Sequence, residues 1–367
     1  MTIDKLNIED FLKLAKQYPV IDVRSPGEFS HAQIPSAHSL PLFSDEERKI
    51  VGTAYKQQSR EQAIKIGLDF FGVKMKKMVE EVEVVVASCQ LPVAGNKNLS
   101  AINGQRTKEN TILVHCWRGG MRSAAVAWLL NMYGFKVYTL NGGYKAFRNW
   151  VLQQFNKEYN LKILGGYTGS GKTILLQELK TKGKNIIDLE GLANHKGSAF
   201  GAIGEKPQPS QEMFENLFAF QLFYQLDSEK SLKATWLEDE SQRIGKVIIP
   251  NIFWEKMRNA PVYFLDIPFE ERLVYLEATY GNFEKEKLAD SIERIQKRLG
   301  GLETKTALNY LSDNNIKECF RILLKYYDKL YHKGLHNRKN YDSLLNIIPC
   351  NGVNSSVNVN KLFPQQV

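Results

Sequence analysis

Residues 166–173 carry the strongest reactive pattern in this 367-residue chain, because Gly-Tyr-Thr-Gly-Ser-Gly-Lys-Thr matches GxxxxGK[ST] in full. In such a loop, successive backbone N–H groups and the positive end of the following helix cradle phosphate oxygens. The lysine neutralises phosphate charge, and the last hydroxyl can ligate Mg²⁺. The sequence therefore predicts a phosphorylated ligand and leaves its identity open. The predicted phosphate-binding residues are Gly166, Gly169, Ser170, Gly171, Lys172 and Thr173, with Thr173 as the position for Mg²⁺.

Several residues after this loop could complete a phosphate site. A metal-bound phosphate needs an acidic residue at the end of a neighbouring strand, and position alone does not rank the available carboxylates. They are Asp188, Glu190 and the run 238–240 with Asp239 at its centre. His195 could touch phosphate or act on a base, although a glycine-flanked loop histidine is more often structural. Ser241 and Arg243 could close over the site, or they could belong to a solvated charged turn.

Cys116 is the second reactive position, at the head of the loop Cys-Trp-Arg-Gly-Gly-Met-Arg. Backbone N–H groups, a helix N-terminus and the two arginines of the loop, Arg118 and Arg122, are expected around its sulfur. Such a setting stabilises a thiolate and favours a nucleophile. Spacing alone leaves two interpretations open, a plain buried cysteine or a nucleophile of the phosphatase type.

Short β-branched runs place both loops after buried strands. Residues 18–24 and 111–116 are typical of parallel strands, and 136–140 forms the next strand after an apolar helix. This βαβ unit sets Cys116 at a strand-to-helix turn. A second series begins at residues 161–164. Its further strands are expected at 185–188, 233–237 and 262–266. The alternation predicts an α/β fold class in both halves, the second a doubly wound sheet.

Length and composition are those of a folded protein of two domains, with 43% hydrophobic and 24% charged residues. No apolar run approaches the ~20 residues of a membrane span, and the start lacks a signal pattern, so we expect a cytoplasmic protein without a membrane partner. Four cysteines without a CxxC pair suggest neither disulfides nor zinc.

The sequence predicts four divisions of the chain. They are a first domain at 1–158, a P-loop domain at 159–310, a basic helical region at 311–350 and a tail at 351–367. The first domain has a mostly helical insertion at about 44–110, which contains a loop at 92–104.

The net charge of +9 favours a polyanionic partner, and the basic surplus lies in the first domain and beyond residue 300. Basic residues there recur every four positions in a predicted helix, with Tyr326, Tyr327 and Tyr331 among them. The predicted RNA-binding residues are Lys317, Arg321, Lys325, Lys329 and Lys333. Aromatic side chains among them could stack an unpaired base. A solvated lysine-rich helix is the alternative, because a four-residue step covers a wide band of the helix surface.

Residues 8–150 resemble the rhodanese family in several separated motifs. The motifs are Val-Ile-Asp-Val-Arg at 20–24, Glu28, His-Ala-Gln-Ile-Pro-Ser-Ala at 31–37, Cys116 with Arg122, and Asn-Gly-Gly-Tyr at 141–144. The resemblance implies a rhodanese-like parallel-sheet domain whose loop cysteine accepts sulfur or selenium, while Arg118 and Arg122 hold the anionic donor. Asp22 and Arg24 would brace the fold. The insertion at 44–110 is longer than a simple rhodanese has between these elements.

Four motifs in the whole chain are similar to those of the tRNA 2-selenouridine synthase family, in which a rhodanese domain precedes a P-loop domain. They lie at 116–123, 165–173, 188–201 and 238–245. The resemblance implies that the wobble 2-thiouridine of tRNA is S-geranylated with geranyl diphosphate and that selenophosphate supplies the selenium that replaces the geranylthio group. Cys116 would carry selenium as S-selanylcysteine. The implied partners are the tRNA anticodon stem-loop and an enzyme that supplies selenophosphate, and the oligomeric state stays open.

Two other functions remain compatible with the residues. One is a sulfurtransferase whose P-loop domain is an ATP-dependent kinase or switch for another acceptor. The other is a non-catalytic RNA-binding protein with a spent rhodanese fold, although such domains usually lose the loop cysteine and Cys116 is present.

Overall fold

A computed structural model of the protein describes residues 3–90, 110–226 and 234–363. The chain divides between Gln153 and Gln154 into two compact units, a few residues before the boundary expected at 158. Each unit contains a five-stranded parallel sheet, so the predicted α/β fold class is confirmed. None of the helices in these ranges is both long and apolar enough to cross a membrane.

The first unit is a parallel sheet with helices in every connection. Its strands are β1 (Asp4–Leu6), β2 (Val20–Asp22), β3 (His38–Ser39), β4 (Thr111–His115) and β5 (Lys136–Leu140). Its helices are α1 (Ile8–Leu14), α2 (Pro26–His31), α3 (Asp45–Gln57), α4 (Arg60–Gly72), α5 (Met75–Gln90), α6 (Met121–Tyr133) and α7 (Gly143–Gln154). The strand order is β1-β5-β4-β2-β3, and all five residues of the central strand β4 are buried. Buried apolar runs of this kind are what a central parallel strand requires.

The insertion forms the helices α3 to α5 and belongs to the core of the first unit. Ser44 and Ser59 cap α3 and α4, each accepting a hydrogen bond from the backbone N–H three residues on, at 3.1 Å. Phe71 and Val82 then pack in one cluster with Val114 of β4. The loop expected at 92–104 lies outside the described residues.

The second unit is a parallel sheet that begins directly before the glycine-rich loop. Its strands are β6 (Leu161–Gly166), β7 (Asn185–Ile187), β8 (Thr235–Glu238), β9 (Arg243–Ile244), β10 (Val247–Ile248), β11 (Val262–Asp266) and β12 (Leu345–Pro349). Its helices are α8 (Lys172–Thr181), α9 (Leu189–Ala193), α10 (Gln211–Leu226), α11 (Asn251–Arg258), α12 (Phe269–Tyr280), α13 (Lys285–Arg294), α14 (Gln296–Leu299), α15 (Gly301–Ser312), α16 (Ile316–His336), α17 (Tyr341–Leu344) and α18 (Ser355–Lys361). The sheet order is β12-β11-β6-β8-β7, and β9 and β10 form a separate antiparallel hairpin.

Two expected divisions at the end of the chain are wrong. A P-loop domain ending at 310 would lack its edge strand, because β12 pairs along β11 from Val262 to Asp266. The segment from 351 is not a simple tail either, since α18 starts at an Asn354 cap and buries Val359 against the core around α8. A helix of seven residues is too short to show a convincing period in the sequence.

Candidate functional site

The Cys116 loop joins β4 to α6 and closes on the start of α7. Cys116 is 3% exposed, and its Sγ donates to Ser123 Oγ at 3.2 Å. Ser123 Oγ in turn donates to the carbonyl of Gly120 at 3.1 Å. The backbone N–H of Tyr144 donates to the Cys116 carbonyl at 2.8 Å, which ties the loop to α7, the helix directly after the βαβ unit. The sulfur thus lies in a loop with a fixed backbone.

Gly143 explains why the Asn-Gly-Gly-Tyr motif accompanies this loop. Its φ of +59° lies in the left-handed region, and a Cβ built there would overlap the carbonyl oxygen of Cys116. Only glycine therefore lets α7 approach the cysteine loop this closely.

The two loop arginines have different surroundings. Arg122 is half-buried and its Nη1 donates to Glu28 Oε2 at 2.8 Å, while Arg118 is exposed. Burial by itself raises the pKa of Glu28, but Arg122, the Ser25 backbone N–H and Arg48 together lower it below its usual value. Glu28 therefore stays ionised and fixes Arg122 beside the loop. Anion contact by Arg118 and Arg122 stays a prediction.

A buried ionic group lies at the ends of β2 and β4. Arg24 Nη2 donates to Asp22 Oδ2 at 2.6 Å and to the Ala32 carbonyl at 2.7 Å, and its guanidinium lies 3.7 Å from the centroid of the Tyr144 ring. His115 Nε2 is 3.6 Å from the same Asp22 oxygen. Burial lowers the pKa of His115, the Asp22 carboxylate partly restores it, and the Arg24 charge lowers it further. Asp22 and Arg24 thus brace the sheet.

The P-loop follows β6 and leads into α8, whose N-cap is Gly171. Lys172 Nζ donates to the carbonyl of Gly166 at 3.0 Å. A Cβ at Gly171, where φ is +70°, would lie 2.6 Å from Val353 Cγ1. Ser170 Oγ is buried and lacks a hydrogen-bond partner within the described ranges. The six predicted phosphate-binding residues thus form one strand-to-helix loop, the geometry that a phosphate cradle requires.

Three carboxylates converge beside this loop. Ligand atoms of Glu190, Glu238 and Glu240 all lie within 4.8 Å of one another. Thr173 Oγ1 donates to Glu190 Oε2 at 3.0 Å. Glu238 is fully buried, and neither of its oxygens has a hydrogen-bond partner among the residues that the structure describes. Burial raises the pKa of all three carboxyls. Repulsion by neighbouring carboxylates adds to this for Glu238 and Glu240, whose pKa rises most, and Asp188 adds to it for Glu190, while the charge of Lys172 lowers the pKa of each.

This donor set fits a hard divalent cation. Mg²⁺ and Ca²⁺ prefer carboxylate and hydroxyl oxygens, and a cation would satisfy the two orphaned Glu238 oxygens. Glu238 lies opposite Leu164 of β6 in the sheet, so the end of β8 meets the start of the P-loop. No local pattern in the sequence ranks Glu238 above its neighbours, because this register is set only in the folded sheet. The residues that would hold the ion are Glu190, Glu238, Glu240 and Thr173.

Asp239, one of the unranked candidates of the run, does not join this cluster. Its carboxylate forms a buried ion pair with Arg338 and accepts from Tyr331 Oη at 2.7 Å. Asp188 is likewise engaged elsewhere, since it caps α9 by accepting from the Gly191 N–H at 2.7 Å. Side chains alternate in direction at the end of β8, so Glu238 and Glu240 lie in the carboxylate cluster while Asp239 points to Arg338.

Of the remaining candidates of the second unit, His195 and Ser241 lie in turns and Arg243 begins β9. His195 is 9% exposed between the backbones of Gly201 and Gly245, and burial lowers its pKa although Glu205 raises it. Ser241 Oγ donates to the carbonyl of Arg243 at 2.8 Å, so both residues shape the exposed turn before the β9–β10 hairpin. Roles for His195, Ser241 and Arg243 at the reacting atoms stay predictions.

The predicted RNA-binding residues all lie on α16, as the four-residue spacing indicated. Lys325, Lys329 and Lys333 are exposed, and we call these three the basic face of α16. Lys317 is partly buried, and Arg321 is engaged by Glu318 and Glu270. The tyrosines pack inward: Tyr327 Oη accepts from the Ala199 N–H at 3.2 Å, and Tyr331 is hydrogen-bonded to Asp239. These two hydroxyls are therefore engaged in the fold.

Two models of known protein families match the chain, one in each unit. Residues 7–149 match the model of the rhodanese-like domain, and residues 159–345 match the model described as the tRNA 2-selenouridine synthase AAA domain. The chain thus joins a rhodanese-like domain, which contains the Cys116 loop, to a P-loop domain, which contains the carboxylate cluster. On these matches and on the relatives below, the chain belongs to the tRNA 2-selenouridine synthase family.

The relatives cover nearly the whole chain. The tRNA 2-selenouridine synthase of Sulfurovum sp. is 34% identical over 344 residues, which cover 85% of this chain and 87% of the relative. The protein of the same description from Hydrogenovibrio crunogenus is 35% identical over 363 residues, covering 90% and 93%. That from Shewanella halifaxensis is 33% identical, with the same two shares.

Proposed function

We propose that this protein is a cytoplasmic tRNA 2-selenouridine synthase, a transferase that converts the wobble 2-thiouridine of tRNA to 2-selenouridine through S-geranyl-2-thiouridine. The co-substrates are geranyl diphosphate and selenophosphate. One observation supports this proposal above the others: a buried loop cysteine and a phosphate loop occur together on one chain of this family.

In the first step the thiocarbonyl sulfur of the uridine attacks the first carbon of geranyl diphosphate, the carbon–oxygen bond breaks to release pyrophosphate, and the uracil loses its N3 proton to solvent. Charge builds on the leaving diphosphate, so fixed donors aimed at it stabilise the transition state. Lys172 and the backbone N–H groups of the P-loop supply those donors. Mg²⁺ held by Thr173 and the carboxylates Glu190, Glu238 and Glu240 would supply further positive charge.

In the second step selenium replaces the geranylthio group, which is a better leaving group than a thiocarbonyl sulfur. Cys116 carries the selenium as S-selanylcysteine: selenophosphate gives up its selenium to the thiolate, water takes the phosphoryl group as phosphate, and a disulfide of the cell accepts the two electrons. The carried selenium then attacks C2 of the uracil, geranylthiolate leaves, and the dithiol formed in the loading step reduces the S–Se bond, which frees Cys116 and leaves 2-selenouridine with its N3 proton restored. Arg122, fixed by Glu28, lies beside the loop to hold the anionic donor. The basic face of α16 would bind the anticodon stem-loop through phosphate contacts. An enzyme that makes selenophosphate is the partner this step requires.

Mass spectrometry of tRNA nucleosides from a deletion strain tests the function directly. We expect loss of 2-selenouridine and of geranylated 2-thiouridine, with both restored by the wild-type gene. Complementation by Lys172→Ala should leave geranylation absent, while Cys116 in the purified protein still takes up selenium from selenophosphate when a disulfide is added as the two-electron acceptor. Loss of both activities in Lys172→Ala would contradict this division between the two loops.

The same P-loop and carboxylates would also suit a nucleoside triphosphate with Mg²⁺, and this supports one alternative function. In that alternative, the protein is a sulfurtransferase with an ATP-dependent kinase or switch domain. Thiosulfate turnover without tRNA, together with ATP hydrolysis and unchanged nucleosides in the deletion strain, would favour it.

A further inference from the structure

The first glycine of the P-loop is held from outside by a tyrosine of α16. The backbone N–H of Gly166 donates to Tyr331 Oη at 3.1 Å, and that hydroxyl donates to Asp239 Oδ2 at 2.7 Å. The carbonyl of the same glycine accepts from Lys172 Nζ. The Tyr331 ring centroid lies 5.7 Å from that ammonium group. The Tyr331 side chain thus contacts the P-loop backbone, lies close to Lys172, and binds Asp239, the residue between Glu238 and Glu240.

A second route joins the loop to the same helix. Arg272 of α12 donates from Nη1 to the carbonyl of Thr168 at 3.0 Å. Its two guanidinium nitrogens also pair with both oxygens of Asp328, each at 2.8 Å. Bidentate pairs of this kind fix the guanidinium in orientation as well as position. Asp328 and Tyr331 are three residues apart and so lie on neighbouring positions of one side of α16.

These contacts matter because a glycine-rich loop does not hold its own shape. Glycine populates both halves of φ space, and Gly166, Gly169 and Gly171 all have positive φ. Phosphate binds such a loop strongly only when its N–H groups already point at one place, since any ordering is subtracted from the binding free energy. Burial and the neighbouring Asp239 raise the pKa of Tyr331 well above its usual value, so the hydroxyl keeps its proton and can accept and donate at once.

We infer that Tyr331 and the Arg272–Asp328 pair are positioning residues. Through them, α16 holds the P-loop backbone in the conformation that binds its phosphate ligand. None of the three is a catalytic residue, because each acts through the loop backbone. The inference rests on the proposed function only for the identity of that ligand.

The test compares Tyr331→Phe with Tyr326→Phe, a tyrosine on the same helix whose ring packs on Tyr327. Binding of pyrophosphate with Mg²⁺ and binding of an anticodon stem-loop RNA are measured by calorimetry on the full chain. Tyr331→Phe leaves the Gly166 N–H and one Asp239 oxygen without this partner. Loss of a hydrogen bond worth a net ~1.4 kcal/mol lowers the population of the binding-competent loop conformation about tenfold. We expect pyrophosphate affinity to fall about tenfold, RNA affinity to stay within twofold, and Tyr326→Phe to match the wild type in both.

Asp328→Asn tests the second route, because it keeps the shape of the side chain and weakens the hold on Arg272. Asp328→Asn removes a negative charge, so its direct electrostatic effect could only strengthen the binding of an anionic ligand such as RNA. A loss of affinity confined to pyrophosphate therefore again supports positioning. Pyrophosphate affinity within twofold of the wild type in both variants would overturn the inference. An equal loss of RNA and pyrophosphate binding would also overturn it, because it indicates general loss of the fold. A wild type that binds pyrophosphate but leaves tRNA unmodified would refute the proposed function and leave the positioning roles intact.

Discussion

The loop at Cys116 and the loop at Lys172 both leave a buried parallel strand and enter a helix, yet they are braced in different ways. The cysteine loop is closed by Gly143 and Tyr144, which begin α7, the helix directly after its βαβ unit. The P-loop is held at Gly166 and Thr168 by side chains 165 and 104 residues further along the chain. A locally closed loop can carry a transferable atom with little help from the rest of the protein, whereas a cradle for a charged ligand depends on packing across the whole unit.

The sharpest way to separate the two loops is Cys116→Ser. We expect selenation to fall by on the order of 10³-fold or more, because the oxygen cannot carry selenium, whereas geranylation should continue at the P-loop. Nucleoside analysis should then show geranylated 2-thiouridine accumulating. If 2-selenouridine still forms at a tenth of the wild-type rate, the cysteine is not the carrier.

Gly143→Ala should damage the cysteine loop through its backbone. The left-handed φ and the overlap with the Cys116 carbonyl should cost about 3 kcal/mol of unfolding free energy. Gly52→Ala is the control, because it lies inside α3 with open space around it and should be neutral or slightly stabilising. Equal urea midpoints for both variants would show that the close approach at Gly143 is not required.

Glu238→Gln should change the response of the second unit to Mg²⁺. A cation at 100 times its Kd stabilises a protein by about 2.7 kcal/mol, and most of this gain should vanish when one ligand is neutral. In EDTA the variant should be more stable than the wild type, because folding then no longer requires a carboxylate to be buried as a charge or to take up a proton. Glu293→Gln, at an exposed position of α13, should respond like the wild type. An undiminished Mg²⁺ effect on the melting temperature of Glu238→Gln would exclude this metal site.

Replacing the basic face of α16, Lys325, Lys329 and Lys333, by alanine should weaken tRNA binding about tenfold in moderate salt. The slope of log affinity against log salt should fall by about 2 to 3, roughly one for each phosphate that a lysine no longer neutralises. Exposed lysines elsewhere in the unit provide the control: Lys287, Lys297 and Lys305. The same weakening in that triple variant would assign the effect to net charge and not to α16.

The smallest expected effect is a pH dependence in the first unit. Because burial lowers the pKa of His115, the unfolded chain binds a proton at about pH 6.5 while the folded unit does not. Stability should therefore fall as the pH drops below about 6.5, by at most about 1.4 kcal/mol per pH unit. Urea unfolding at several pH values should show this slope reduced in His115→Gln and kept in the exposed His31→Gln. A slope unchanged in His115→Gln would assign the dependence to other groups.

Much of the fold followed from local patterns. Strand-to-helix turns at Cys116 and Lys172 were predictable because short apolar β-branched runs precede glycine-rich loops, and such loops need particular backbone conformations. The helix α16 was predictable because 21 residues show a period clearly. The strand β12 and the helix α18 were not, because short elements show little period and gain their stability from the sheet and core they join.

By itself the sequence determined the two reactive loops, their order along the chain and the α/β architecture that carries them, because each depends on residues close together in the chain. Only the tertiary structure decided that Glu190, Glu238 and Glu240 meet while Asp239 turns to Arg338, and that Tyr331 and Arg272 hold the P-loop. The physical reason is that convergence of side chains from distant elements depends on strand register and helix packing, which many sequences satisfy and no local pattern records.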